Sequence, residues 1–271
     1  MLKRNPLLTS ITITTVLALV LICLITANRA PAAYAAEQQY SMVGKWGSRG
    51  SGFGKFSQPL DVAIDPSGNV YVSDFGNAQN GIQKFTSNGT FITSWGSTGL
   101  GDGQFINPGG IAVDSAGNVY VGDFGENNRI EKFDSNGKFI TKWGTPGTGD
   151  GQFATPADIV IDKGGNLYVV DAGNDRIQKF DSNGKFITKW GTTGSADGQL
   201  SRPIGIAIDS SGNIYVCDNA NNRIQKFDNN GKFITKWSVD TPGGIAVGPN
   251  GKIYIVNQNS ASMEIYSPVL S

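Results

Sequence analysis

The side chains in this chain that could do chemistry are carboxylates, and what is missing around them narrows their role. The sequence has no histidine and only two cysteines. Zinc sites draw on His and Cys in numbers not present here. Histidine-based acid–base and triad chemistry is excluded with them. The remaining candidates recur at regular intervals. Asp74, Asp123, Asp171 and Asp218 each close an apolar run, and Arg129, Arg176 and Arg223 open the run that follows three of them. An Asp and an Arg at facing ends of one hairpin are placed for a charge-assisted hydrogen bond, so this set reads as structural. Gly81 and Ser262 stand at the Arg position in two further copies, which must tie that loop differently. Asp102, Asp150 and Asp197 lie in Gly-rich loops. Calcium takes about 6–8 oxygen ligands, and one Asp per loop does not assemble such a cage. Turn stabilisation is the better account. No helix signal follows these loops, so they offer no N-terminus to cradle a phosphate.

The elements that carry these residues are copies of one unit, clearest in residues 156–190. Its four apolar runs, DIVID, NLYVVD, RIQKF and KFITKW, are rich in β-branched and aromatic residues and bounded by Gly, Asn or Asp. That is the sequence form of four short strands. Asn183-Gly184 between the third and fourth predicts a type I′ hairpin turn, as do Asn88-Gly89, Asn136-Gly137 and Asn230-Gly231. Such a meander has two unburied faces and must stack on its copies. Trp46, Trp95, Trp143, Trp190 and Trp237 all end the same strand, and Pro59, Pro108, Pro156, Pro203 and Pro242 all open the first. A period of about 40–50 residues with four strands per unit signals a β-propeller. Lys45, Lys142, Lys189 and Lys236 precede the tryptophans on the outermost strand, where charge discourages edge-to-edge pairing.

The phase of the repeats predicts how they close. Met42-Val43-Gly44-Lys45-Trp46 is a lone fourth strand, and the last unit has strands one to three over residues 244–266 and no fourth. The expected fold is therefore an all-β, five-bladed propeller of four-stranded antiparallel blades over residues 42–271. One strand from the start and three from the end would close it, removing two open edges.

PxGIAxD, GNxYVxD, NxRIQKFD and NGKFITKWG, recurring together over residues 42–267, resemble the NHL repeat family. The resemblance implies a propeller, mostly six-bladed in that family, against the five units counted here. Its amidating-lyase relatives rely on histidine-bound zinc, which this chain cannot supply. The Cys-rich RING segment of its ubiquitin-ligase relatives is absent too.

Positions where the copies differ are the more informative ones. Strand one begins with Gly110, Gly205 and Gly244 in three units but with Asp61 and Asp158 in two. First strands ring the channel of a propeller, so these carboxylates are expected near its mouth. Phe75 and Phe124 follow the strand-two aspartates where other units have Ala172 and Asn219. Two aromatics on one side of the loop face make an asymmetric patch of the kind favoured in interfaces. Together with the non-repeated Glu126, these residues are the candidate binding set. The expected function is a non-catalytic scaffold binding a protein, a surface polymer or a small ligand, as a monomer and without a cofactor. The alternative is a calcium-dependent enzyme like the propeller lactonases, resting on Asp61 and Asp158. RNA binding, as in some animal NHL proteins, is a third reading.

The first residues read as a targeting segment. Lys3 and Arg4 precede an almost wholly apolar or hydroxylic stretch from Leu7 to Ala27, then Ala33-Tyr34-Ala35. Residues 1–35 are expected to be a cleaved signal or an uncleaved anchor, with 36–41 a short linker. Either places the rest outside the cytoplasm, secreted or held at the outer face of the membrane. Removing them takes Lys3, Arg4 and Arg29 and no acidic residue, leaving a slightly acidic chain without the clustered positive charge that nucleic acid requires. Cys217 would then be the only cysteine, at a small packing position shared with Ser73, Gly122 and Val170.

Overall fold

A computed structural model describes residues 44–77 and 81–267. The expected leader and linker, and Met42 and Val43 of the expected closing strand, lie outside them. The blades all belong to one compact unit that begins at Lys45.

Every repeat becomes an antiparallel meander in sequence order. Blade one is β1 (Gln58–Ile64), β2 (Val70–Phe75), β3 (Ile82–Phe85) and β4 (Phe91–Trp95). A short parallel pair, β5 (Ser97–Thr98) and β6 (Gln104–Phe105), bridges the crossing to blade two. Blade two is β7 (Asn107–Val113), β8 (Val119–Phe124), β9 (Arg129–Phe133) and β10 (Phe139–Trp143). Blade three is β11 (Pro156–Ile161), β12 (Leu167–Asp171), β13 (Arg176–Phe180) and β14 (Phe186–Trp190). Blade four is β15 (Pro203–Ile208), β16 (Ile214–Asp218), β17 (Arg223–Phe227) and β18 (Phe233–Ser238). Blade five is β19 (Pro242–Val247), β20 (Ile253–Asn257) and β21 (Ser262–Tyr266), a three-stranded sheet. Among the described residues no fourth strand lies on β21, and Lys45 and Trp46 are exposed and outside any strand.

The core lies between blades. One cluster joins Tyr120 and Ile130 of blade two to Ile159, Leu167 and Phe180 of blade three. Another joins Tyr168 and Ile177 of blade three to Ile206, Val216 and Phe227 of blade four. This is why a single meander cannot stand by itself and why a repeat array can. The fourth-strand tryptophans extend the stacking. An added Cβ at Gly184 would lie 2.4 Å from the ring of Trp143, and one at Gly231 equally close to Trp190. Each tryptophan thus covers the hairpin turn of the following blade. Trp46 holds the same seat on blade one, 2.6 Å from a Cβ built on Gly89 and 6.3 Å from the ring of Phe85.

The strand three–four turns correct one expectation. A type I′ turn needs positive φ at both central residues. Here Gly184 has φ +84° while Asn183 is not left-handed. The Asp181 carbonyl accepts from Gly184 N at 3.0 Å, and Asp181 Oδ1 accepts from Asn183 N and Lys185 N at 2.9 Å each. The aspartate ahead of Ser-Asn-Gly caps the turn, so only the glycine must be left-handed, and the ladder takes up the extra residue as a bulge beside Phe180.

Candidate functional site

The repeated charges form a clamp on each crossing. In blade three Arg176 Nε donates to Asp171 Oδ2 at 2.8 Å, and its two terminal nitrogens donate to the carbonyls of Thr148, Gly149 and Gln152. Asp171 also accepts from Ala154 N, and Gln178 Nε2 donates to both Gln152 O and Asp171. Blade four repeats the pattern with Arg223, Asp218 and Gln225. Blade two departs from it. Glu131 replaces the glutamine, ion-pairs with Arg129 and accepts from Gly103 N at 2.8 Å, while Arg129 Nε lies 3.9 Å from Asp123 and has no hydrogen-bond partner. Burial pushes Glu131 up to about 7, outweighing the pull of Arg129. Blade one has no Arg; Asp74 accepts from the backbone of Ser57 and Gln58 and from Asn77 Nδ2. These residues organise loops, and their Asp, Arg, Gln and Glu side chains are buried. The loop aspartates pair with the edge lysines: Asp102 with Lys142 at 2.7 Å, Asp150 with Lys189 at 2.6 Å, Asp197 with Lys236 at 2.5 Å.

The two strand-one aspartates come together on the channel wall. Both line a cavity of about 360 Å³ walled by Leu60, Gly110, Phe124, Gly205, Gly244 and Gln258, and a second of about 310 Å³ walled by Val62, Ile111, Ile159, Ile206 and Ile245. They sit where a glycine-walled mouth gives way to an apolar throat. Each is a clip between blades. Asp61 accepts from Val62 N in its own strand and from Ile111 N of blade two, both at 2.8 Å. Asp158 accepts from Ile159 N at 2.7 Å and from Ile206 N of blade four at 2.9 Å. Backbone donors favour the ionised form, but burial raises both groups, and the Asp61 charge adds to the burial of Asp158, which is pushed up to about 8. Cys217, buried on β16, has its thiol pushed up by burial and then by Asp158. Glycine alternates with these aspartates because space requires it. A Cβ on Gly110 would lie 2.5 Å from Asp158 Cα, and one on Gly205 would lie 2.4 Å from Gly243 O.

Phe75 and Phe124 stack on each other, ring centroids 6.1 Å apart and planes 8° from parallel, and Phe124 also lines the mouth cavity. Glu126 is exposed on the strand two–three loop of blade two and does not line that cavity. The structure thus unites Asp61, Asp158 and Phe124 at one mouth, adds Phe75 behind Phe124, and leaves Glu126 apart. The blade-to-blade reach of the aspartates was hidden in the sequence, since nothing in one strand shows which backbone nitrogen its neighbour presents. The clamp glutamines were missed although their recurrence, RIQKF against RIEKF in blade two, is visible. Among the described residues no group of three or more His, Cys, Asp or Glu could hold a metal ion.

Four four-stranded meanders and a three-stranded fifth, stacked side by side, define an all-β propeller of five blades. The NHL repeat pattern matches residues 56–79 and 200–227, and a 6-bladed beta-propeller family matches residues 117–189. Residues 56–79 and 200–227 thus carry the NHL repeat within a β-propeller. Solved structures similar to it include a chain of a nidogen/laminin complex, 20% identical with a TM-score of 0.59 over 78% of this chain and 80% of that one. A streptogramin B lyase is 16% identical with a TM-score of 0.53, over 80% and 85% of the two chains. A catalytically inactive virginiamycin B lyase from Staphylococcus aureus, solved with quinupristin, is 20% identical with a TM-score of 0.55, over 84% and 72%. At these identities the likeness is one of fold. No curated protein matches the chain.

Proposed function

We propose that the protein is a non-catalytic binding propeller that works outside the cytoplasm as a monomer and takes a protein, surface polymer or small ligand at the channel mouth. The carrying observation is the asymmetry of that mouth: the stacked pair Phe75–Phe124 stands beside a cavity of about 360 Å³ only on the side of blades one and two. Loops and mouths on a rigid scaffold are where binding function collects, and aromatic rings are preferred anchors there. Nidogen, among the similar folds, is named for a complex with laminin. The lyase likeness argues less strongly. One of those enzymes was solved as an inactive histidine-to-alanine variant, and this chain contains no histidine. Nor do Asp61 and Asp158 argue for a calcium enzyme, since both oxygens of each already accept backbone N–H and burial disfavours their charge.

Residues 1–35 deliver or anchor the propeller in this reading, and residues 42–46 supply the fourth strand of blade five. The test of the mouth is Phe75→Ala/Phe124→Ala, compared with the parent in pull-downs from the protein's own cell surface. The reading requires partners to be lost; an unchanged set would contradict it.

A further inference from the structure

Both ends of the blade series leave bare what the middle buries. On blade five Met263 is 64% exposed and Val256 42%, whereas Ile177 and Val170 at the same positions of blade three are 0% exposed. On blade one Val62 is 57% exposed, whereas Ile159 at the same position is 3% exposed. The outer edge of β21 also lacks a partner among the described residues. An unpaired, apolar edge invites another strand.

The other blades dictate what lies on a third strand and in which register. Ile177 faces Trp190 and Gln178 faces Lys189 in blade three; Ile224 faces Trp237 and Gln225 faces Lys236 in blade four. Met263 and Glu264 hold the Ile and Gln positions in blade five, and Trp46 already occupies the seat on blade one that a preceding blade's tryptophan would take. We propose that Lys45 and Trp46 pair with β21 in this register, Lys45 opposite Glu264 and Trp46 opposite Met263. This specifies the closure of blade five by residues 42–46 and rests on it.

Charge supports the assignment. In blades two to four the edge lysine is paired with an aspartate of the long crossing that enters the same blade. Blade five is entered by a crossing of residues 239–241, too short to carry that loop. It has instead an acidic residue on the strand itself. Asn257 Nδ2 and the Tyr266 hydroxyl donate to Glu264 and hold its carboxyl below the usual range, so a charged acceptor waits opposite the place of Lys45. Cross-strand pairs of opposite charge favour one register over its neighbours. The channel wall agrees. Gly110 is a glycine because the next blade brings Asp158 against it, whereas Gly244 meets only Val256 within 4 Å. Asp61 is the equivalent of Asp158, and closing blade five onto blade one would set it against Gly244.

The test is a pair of double-cysteine variants of the full chain, each checked for folding by circular dichroism. Facing positions on neighbouring strands lie within disulfide reach, and a one-residue slip points the side chains to opposite faces. Lys45→Cys/Glu264→Cys should oxidise to an intramolecular disulfide in most molecules, and Lys45→Cys/Met263→Cys in few. If the second pair forms and the first does not, the register is wrong while closure stands. If neither forms in folded protein, both fail. If the disulfide links two molecules, a second copy fills the seam and the proposal falls. A thiol-free check is the charge swap: Lys45→Glu and Glu264→Lys should each lower Tm and the double variant recover most of the loss, whereas additive losses would overturn the pairing. None of these outcomes bears on Phe75 and Phe124, so the seam and the mouth can fail separately.

Discussion

Blades three and five are built from the same repeat, yet one is locked and the other is not. Blade three has a long crossing, an arginine that reaches three of its carbonyls, a glutamine that ties it to Asp171, and a tryptophan-ended fourth strand. Blade five has none of these among the described residues: its crossing is short, Ser262 stands for the arginine and Glu264 for the glutamine. The losses go together for a physical reason. Without the loop there are no carbonyls for an arginine to satisfy, and a buried guanidinium without acceptors is costly. Blade five drops the loop and the arginine together, whereas blade one keeps the loop, tied by Gln83 to Gly54 and Lys55, without the arginine; what remains of blade five must be steadied from outside.

The sharpest way to break this contrast is to unlock blade three. Arg176→Ala strands Asp171 as an uncompensated buried charge and leaves the carbonyls of Thr148 and Gly149 without their guanidinium donor, and should cost about 3–5 kcal/mol in chemical denaturation. Ser262→Ala at the same position of blade five should stay within about 0.5 kcal/mol. Equal effects would mean that the clamp carries no special weight. Next in size are the tryptophan seats. Trp143→Ala should cost about 3–5 kcal/mol. Trp46→Ala should cost less, because Trp46 is 40% exposed, unless closure covers it to the half-buried state of Trp143, which packs against its core cluster. The two values converging would sharpen the case for the closed ring.

Blade two gives the smaller test, because there the clamp exists with one wrong part. Glu131 is fully buried where blades three and four have glutamine. Its folded pKa is raised to about 7 from an ordinary value near 4.5, so the native state holds a proton that the unfolded chain releases. Its contribution to stability is full below about pH 4.5 and is lost as pH rises through 7. Glu131→Gln restores the amide that donates in its sister blades. It should raise stability at pH 8 by roughly 1 kcal/mol, the net worth of a typical hydrogen bond, and flatten the fall in Tm between pH 4.5 and 7. Asp158 is raised for a related reason and should keep part of that slope in the variant.

How much of this was legible depended on whether the cause was local. The strands of residues 156–190 follow from alternation and turn residues within one repeat, and the propeller follows from counting Trp and Pro. The turn type is misread when Asn-Gly is weighed without Asp181 ahead of it, whose carboxylate caps the loop. The placement of Asp61 and Asp158 near the mouth could be read from strand order. Their role as clips could not, since it depends on the nitrogens of Ile111 and Ile206, 50 and 48 residues away. Phe75 and Phe124 stood out by their absence from other blades, but that they stack on each other is a property of two neighbouring blades.

The comparison converges on the outer edge of β21. Amide hydrogen exchange measured over residues 262–266 and, as the internal reference, over residues 176–180 reads it directly. If Lys45 and Trp46 complete blade five, all the β21 amides will exchange slowly, with protection approaching that of β13. If the outward-facing amides of β21 exchange at the rate of unstructured chain while those paired to β20 stay protected, the edge is open and the closed ring is contradicted.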